Sequence, residues 1–213
     1  MLETPNQKLS YGVALGLGRN MLNDGMSVDV DAFAAGLSDA MTGAPQRITD
    51  DEIRAEMIAF QERITQEQEA NTSALAEANA AAASAFLAEN GAREGVMTTD
   101  SGLQYEIIEE GDGAMPTAED SVSVHYRGTL LDGTEFDSSY ARGEPVTFGV
   151  TQVISGWTEA LQLMKVGSKY KLFIPSELAY GAGGAGDRIG PNSALIFDVE
   201  LLGIPTQEAS EEG

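Results

Sequence analysis

Between residues 130 and 139 the chain reads LLDGTEFDSS, which sets three carboxylates, Asp132, Glu135 and Asp137, around the aromatic Phe136. Carboxylates this close can form an acid/base pair or ligate a hard cation, so the position of each decides its role. Asp132-Gly133 is a hairpin-turn dipeptide, and Glu135 precedes Phe136 on the opposite, solvent-facing side of an extended segment. These two acids are therefore scaffold and surface, which leaves Asp137 as the one candidate for chemistry.

Other familiar chemistry is thinly supplied. There is no cysteine, hence no thiol nucleophile, thiolate site or disulfide, and a single histidine, His125, rules out a multi-histidine zinc site. His125 faces opposite to Val124 and Tyr126 on an alternating segment and is read as structural. GAGGAG at 181–186 matches the dinucleotide pattern GxGxxG but lacks a strand before it and a helix after it, since Asp187-Arg188-Ile189-Gly190-Pro191 follows. It reads instead as a flexible loop over a pocket. Asn71-Thr72-Ser73 fits a glycosylation acceptor but falls inside a helical run. No metal or cofactor is expected. With 34 acidic and 12 basic residues, a net charge of −22, the chain would repel nucleic acid and anionic lipid. No run reaches the roughly 18 apolar residues of a membrane span, and Met1-Leu2-Glu3-Thr4-Pro5 lacks the features of a secretory signal. Composition does not separate a cytoplasmic protein from a mature exported one.

The elements that position these residues fall into two regimes. Leu9, Val13, Leu17 and Met21 recur every four residues, as do Phe33, Leu37 and Met41 behind an N-cap at Asp29 or Asp31, with Gly43 beyond. Residues 1–48 are thus two short amphipathic helices. Gly12, Gly16 and Gly18 allow close backbone approach, within the chain or between chains. A third helix over 49–90 starts at the capping box Thr49-Asp50-Asp51-Glu52 and ends at Asn90-Gly91. At about 39 residues it would be about 58 Å long. Its first half carries the stripe Ile53, Met57, Phe60, Ile64; its second half is alanine and polar residues, a spacer held by propensity rather than burial. Such helices cannot enclose a core alone. Either a second copy completes it in an intertwined homodimer, or the helices fold back on the rest of the chain.

After a linker at 91–102 the apolar residues alternate: Leu103, Tyr105, Ile107; Val122, Val124, Tyr126; Tyr170, Leu172, Ile174; then ALIFDVELL. GWTEALQLMKVG interrupts them with helical spacing of about three turns at Trp157, Leu161 and Met164. An antiparallel sheet with one helix gives an α+β domain over 103–205, and 206–213 reads as a disordered acidic tail. Nine of the fourteen aromatic residues fall between 126 and 197, more than a domain of this size needs for its core. They are either all core or partly the lining of a concavity.

VHYRGTLLDGTEFDSSYARGEPVTF, VISGWTEALQLMKVGSKYKLFIPSELAYG and GPNSALIFDVELL together resemble the FK506-binding-protein (FKBP) type of peptidyl-prolyl cis-trans isomerase, over roughly residues 96–205. KLSYGVALGLGRNM through AFLAEN is similar to the dimerisation region and long helix of the macrophage infectivity potentiator group of bacterial isomerases. The resemblance implies a half-wrapped antiparallel sheet around one short helix, with a pocket between them. It implies catalytic roles for Tyr126, Phe136, Asp137, Tyr180 and Phe197, and substrate contacts from Arg142, Phe148, Val153, Ile154, Trp157 and Ile189. Trp157 would be the floor, Asp137 and Arg142 the polar edge, and the Ile154 N–H and Tyr180 hydroxyl donors to substrate carbonyls. Ala185 departs from members that carry a histidine in the glycine-rich loop. Implied too are proline-containing unfolded polypeptides as substrates, macrolides of the FK506 class as inhibitors, a homodimer with chaperone activity, and a periplasmic or cell-envelope location. The alternative function is a holdase chaperone whose isomerase activity is incidental.

Overall fold

The helical half is delimited by the caps its sequence supplies. In the computed structural model, which describes residues 2–205, α1 (Pro5–Asn23) starts at Thr4, which forms a capping box with Gln7, and has Pro5 in its first turn. The acidic tail expected at 206–213 lies outside the described residues. Helix α2 (Val30–Thr42) is capped by Asp29, whose side chain accepts from the Ala32 N–H at 2.8 Å, and ends at Gly43 in the left-handed region. Helix α3 (Asp50–Asn90) runs 41 residues from the Thr49–Glu52 box, in which Thr49 N–H donates to Glu52 at 2.8 Å.

The chain divides into two compact units between Glu69 and Ala70, inside α3. In the first, neither α1 nor α2 contains a buried residue. Leu9, Val13, Leu22, Val30 and Met41 are between 64% and 80% exposed, so the described residues of this unit form apolar stripes but no enclosed core.

The second unit is an antiparallel sheet in the order β1-β2-β6-β7-β3-β4, made of β1 (Val96–Thr98), β2 (Gln104–Glu109), β3 (Ser121–Thr129), β4 (Glu135–Ser138), β6 (Lys169–Ile174) and β7 (Leu195–Gly203). A further strand, β5 (Val146–Gly149), pairs with the start of β3, so β4 and β5 share one edge. Two short helices interrupt the strands, α4 (Ser139–Arg142) and α5 (Ser155–Leu161). Val122, Val124 and Tyr126 of β3 and Leu195, Phe197, Val199 and Leu201 of β7 point into one core with Trp157, Ala160 and Leu161 of α5. The alternation written in these strands puts their apolar faces there.

Three expectations need correction. Helix α5 is two turns rather than three: after Leu161 the chain tightens, with Leu163 and Met164 N–H bonding three residues back, and Met164 is buried by that turn rather than by helix. The stretch read as linker contains β1, which pairs with β2. The second half of α3 is no bare spacer. Phe86 packs on Phe173, ring centroids 5.9 Å apart, and so covers a side chain that alternation alone would leave on the outer face of the sheet. The amides of Asn90 and Gln104 meet at 2.8 Å, and Gln104 donates to the Leu87 carbonyl at 2.8 Å.

Seven of the twelve basic side chains lie in ion pairs, so it is mainly carboxylates that face solvent unpartnered.

Candidate active site

The β3–β4 hairpin gives its three carboxylates different partners. Gly133 takes a φ of 86° at the turn, and Asp132 accepts from the Thr134 N–H at 2.9 Å. Glu135 pairs with Arg127 across the strands at 2.7 Å, on the exposed side. Asp137 points the other way. Its carboxylate accepts hydrogen bonds from the Tyr126 hydroxyl and the Arg142 guanidinium, and from the Ser138 N–H at 2.8 Å.

Arg142 is brought there by α4, a single turn capped at its start by Ser138 and at its end by Gly143 in the left-handed region. Its second guanidinium nitrogen donates to the Tyr126 hydroxyl at 2.8 Å, and the group stacks 5.5 Å from the Tyr126 ring centre. Burial raises the Asp137 carboxyl, but the bonds from Tyr126 and Arg142 outweigh it and hold the group below its ordinary value. Burial, then the bond to Asp137, pushes the Tyr126 phenol up. At neutral pH the carboxylate is ionised and its phenol partner protonated, each the form the other needs. A base must be free to take a proton, and this one is already held by three donors.

These polar groups edge a cleft of about 440 Å³ lined by Tyr126, Phe136, Asp137, Phe148, Gln152, Val153, Ile154, Trp157, Tyr180 and Phe197. Trp157 stands edge-on to Tyr126 at 5.2 Å, to Phe197 at 5.3 Å and to Phe148 at 5.9 Å, which locks the indole as the floor. Its Nε1–H has no hydrogen-bond partner among the described residues. Phe136 meets Phe197 edge-to-face at 5.5 Å. Ile154 caps α5, its carbonyl accepting from Trp157 and Thr158, while its own N–H has no partner among the described residues. Tyr180, at the start of the glycine-rich loop, is 42% exposed, and its hydroxyl is likewise without a partner there.

The family models for the FKBP-type peptidyl-prolyl cis-trans isomerase and for the domain amino terminal to it match residues 113–202 and 6–107. The Outer membrane protein MIP of Legionella longbeachae is 44% identical over 203 residues, 95% of this chain and 87% of the relative. The chain belongs to the FKBP-type peptidyl-prolyl cis-trans isomerases. The FKBP-type 22 kDa isomerase of Escherichia coli K12 is also 44% identical, over 95% of this chain and 97% of its own. The crystal structure of FkpA from Escherichia coli superposes with a TM-score of 0.82 at 40% identity, covering 96% of this chain and 98% of that one. The chain is thus an isomerase of X-Pro bonds, with a helical region followed by the half-wrapped sheet and short helix of the FKBP fold.

Of the eleven residues singled out in the sequence, nine line the cleft. Arg142 stands behind the wall, reaching Asp137 and Tyr126, and Ile189, 7% exposed, lies in an adjoining recess that shares Phe136 with the cleft. His125 is away from it, bonded to buried Ser139 at 2.9 Å and stacked on Tyr140. Two residues at this cleft escaped the sequence reading. Gln152 is one, and it carries no signal. Gly128 is the other: a Cβ there would lie 2.6 Å from Phe136 and 2.7 Å from Phe197, so the bare backbone is what lets the two rings approach. The signal was a lone glycine inside an alternating strand.

Proposed function

We propose that the cleft binds the prolyl ring over Trp157 between Tyr126, Phe136, Phe148 and Phe197, and that Val153 and Ile189 extend the apolar wall. Rotation of an X-Pro bond faces a barrier of about 18–20 kcal/mol because amide resonance is lost on twisting. The planar amide is charge-separated and the twisted one less so, and an apolar, water-poor wall therefore disfavours the ground state relative to the transition state. The Ile154 N–H and Tyr180 hydroxyl donate to the carbonyls that flank the twisting bond. Asp137, held by Tyr126 and Arg142, orients the edge of the wall and transfers no proton. The observation that carries this reading is the pairing of a carboxylate held by three donors with two unpartnered donors on one aromatic cleft. Phe136→Ala and Tyr180→Ala should each lower kcat/KM on a proline tetrapeptide by about tenfold or more, which is about 1.4 kcal/mol of transition-state stabilisation each. Full activity in both would refute the site. A macrolide of the FK506 class should compete with the peptide, because it fills the same wall.

The exposed stripes of the first unit support a second role beside catalysis. A homodimer formed through them would present two clefts to one unfolded client and raise the effective concentration of each without new contacts. Leu17→Asp, on that stripe, should give a monomer by sedimentation that keeps peptide activity but loses efficiency on a refolding protein. A variant that stays dimeric, or one equally efficient on both substrates, would remove the chaperone role. A cell-envelope location is supported by the likeness to the outer membrane protein MIP of Legionella longbeachae.

A further inference from the structure

The loop beside the cleft has few side chains with which to anchor itself to the rest of the domain. Residues 181–192 contain five glycines, each with more backbone freedom to lose than any other residue. The loop is closed internally by the Asn192 N–H to the Gly181 carbonyl at 2.9 Å and by Ala185 and Ile189 bonding each other at 2.8 and 3.2 Å. On the cleft side Arg188 donates to the Phe136 carbonyl at 3.0 Å. On the opposite side the loop meets α3. Asn79 Nδ2 donates to the Pro191 carbonyl at 2.9 Å and lies 3.3 Å from Ser193 Oγ, and Asn192 Nδ2 donates to the Ala76 carbonyl at 3.3 Å. Asn192 has a φ of 54°, the one non-glycine residue in the left-handed region among the described residues. Gly190 slides beneath the helix, where a Cβ would come 3.0 Å from the Asn79 amide.

Asparagine is a poor residue for a helix interior, and Asn79 interrupts the run ALAEANAAAASA. Local propensity gives it no reason to be there, whereas the bonds to the loop do.

We infer that Asn79 is a positioning residue of the isomerase site: it donates from α3 to the Pro191 carbonyl and so holds the glycine-rich loop, with Tyr180 and Ile189 at its two arms, against the cleft. The inference rests on the aromatic cleft being the substrate site. Asn79 touches no substrate, and its effect passes through the loop.

The test uses the full chain and the variants Asn79→Asp, Asn79→Ala and Glu77→Ala. Asn79→Asp keeps the shape but cannot donate to a carbonyl; Glu77 is exposed and serves as control. Amide hydrogen exchange over 181–192, acrylamide quenching of Trp157, the sole tryptophan, and kcat and KM on a tetrapeptide are measured together with thermal unfolding. Both Asn79 variants should exchange faster in the loop, quench more readily, and raise KM about fivefold with kcat within twofold, the pattern of lost uniform binding on the scale of one hydrogen bond. Glu77→Ala should match the parent throughout. An Asn79→Asp protein with parental exchange, quenching and KM would overturn the inference, because packing without donation would then suffice. If instead Phe136→Ala retains full activity, the reading of the cleft fails, while exchange and quenching still decide whether Asn79 holds the loop.

Discussion

Gly128→Ala is the smallest change that should disable the cleft. The added methyl would lie 2.6 and 2.7 Å from Phe136 ring atoms and 2.7 Å from Phe197. Carbon atoms rest comfortably at about 3.5–4.0 Å, so each ring must retreat by about 1 Å. The backbone cannot recoil instead, because Gly128 is paired with Asp137 of β4 on one side and with Phe197 of β7 on the other. Nor can Phe197 move freely, since it stands edge-on to the Trp157 floor at 5.3 Å. Overpacking of this kind costs about 1–3 kcal/mol, offset in part by the entropy that alanine removes from the unfolded chain, about 0.4–1 kcal/mol. The expected net loss of stability is about 1–2 kcal/mol, too little to unfold an ordinary domain. Activity should fall further than stability, by about tenfold or more in kcat/KM, because the displaced rings are the wall itself. A tetrapeptide assay beside a urea melt separates the two. Parental kcat/KM and parental affinity for a macrolide would refute the claim that a bare backbone sets the ring spacing. Conversely, Phe136→Leu added to Gly128→Ala should restore stability, and the two substitutions should be non-additive because their atoms share the same space.

Three further outcomes follow from the structure. Activity should be flat between about pH 5 and 9, since no group on the cleft acts as an acid or base; a bell-shaped profile in that range would contradict the mechanism. The stability that Asp137 contributes is present above the unfolded carboxyl value, about 3.9, and lost as pH falls through its lower folded value, so the effect of Asp137→Asn on stability should vanish in strong acid. Phe86→Ala should lower stability by about 2 kcal/mol in a denaturant melt, below the full cost of a buried phenylalanine because the ring is half-buried, while leaving peptide activity within twofold. An unchanged melt would restore the reading of the second half of α3 as a bare spacer.

Where the chain's own local chemistry determines structure, the sequence was legible. Asp29, Gly43 and the Thr49–Glu52 box mark helix ends because capping is a contact between near neighbours. The alternating strands were equally plain. What local pattern could not supply was the far partner. Phe173 looks solvent-facing until Phe86 is laid over it, and Ala83, within a run that read as spacer, is buried. Asn79 and its loop are more than a hundred positions apart. Met164 kept helical spacing beyond the end of α5 because a tight turn buries it just as well. The cleft itself was legible through resemblance rather than pattern. Tyr126, Trp157 and Phe197 are each no more than 6% exposed yet line the cavity, so core and lining are here the same rings, and composition has no means of telling them apart.

The pairing of most cations into ion pairs bears on how clients arrive. An unfolded chain approaches through a field set by unpartnered carboxylates, which hastens positively charged segments and slows negative ones before any ring is touched. At low salt the order in which clients are captured should follow their charge. In 1 M salt, where screening acts over about 3 Å, it should follow only the context of their prolines. One protein would then rank the same set of clients in two different orders, with ionic strength as the selector.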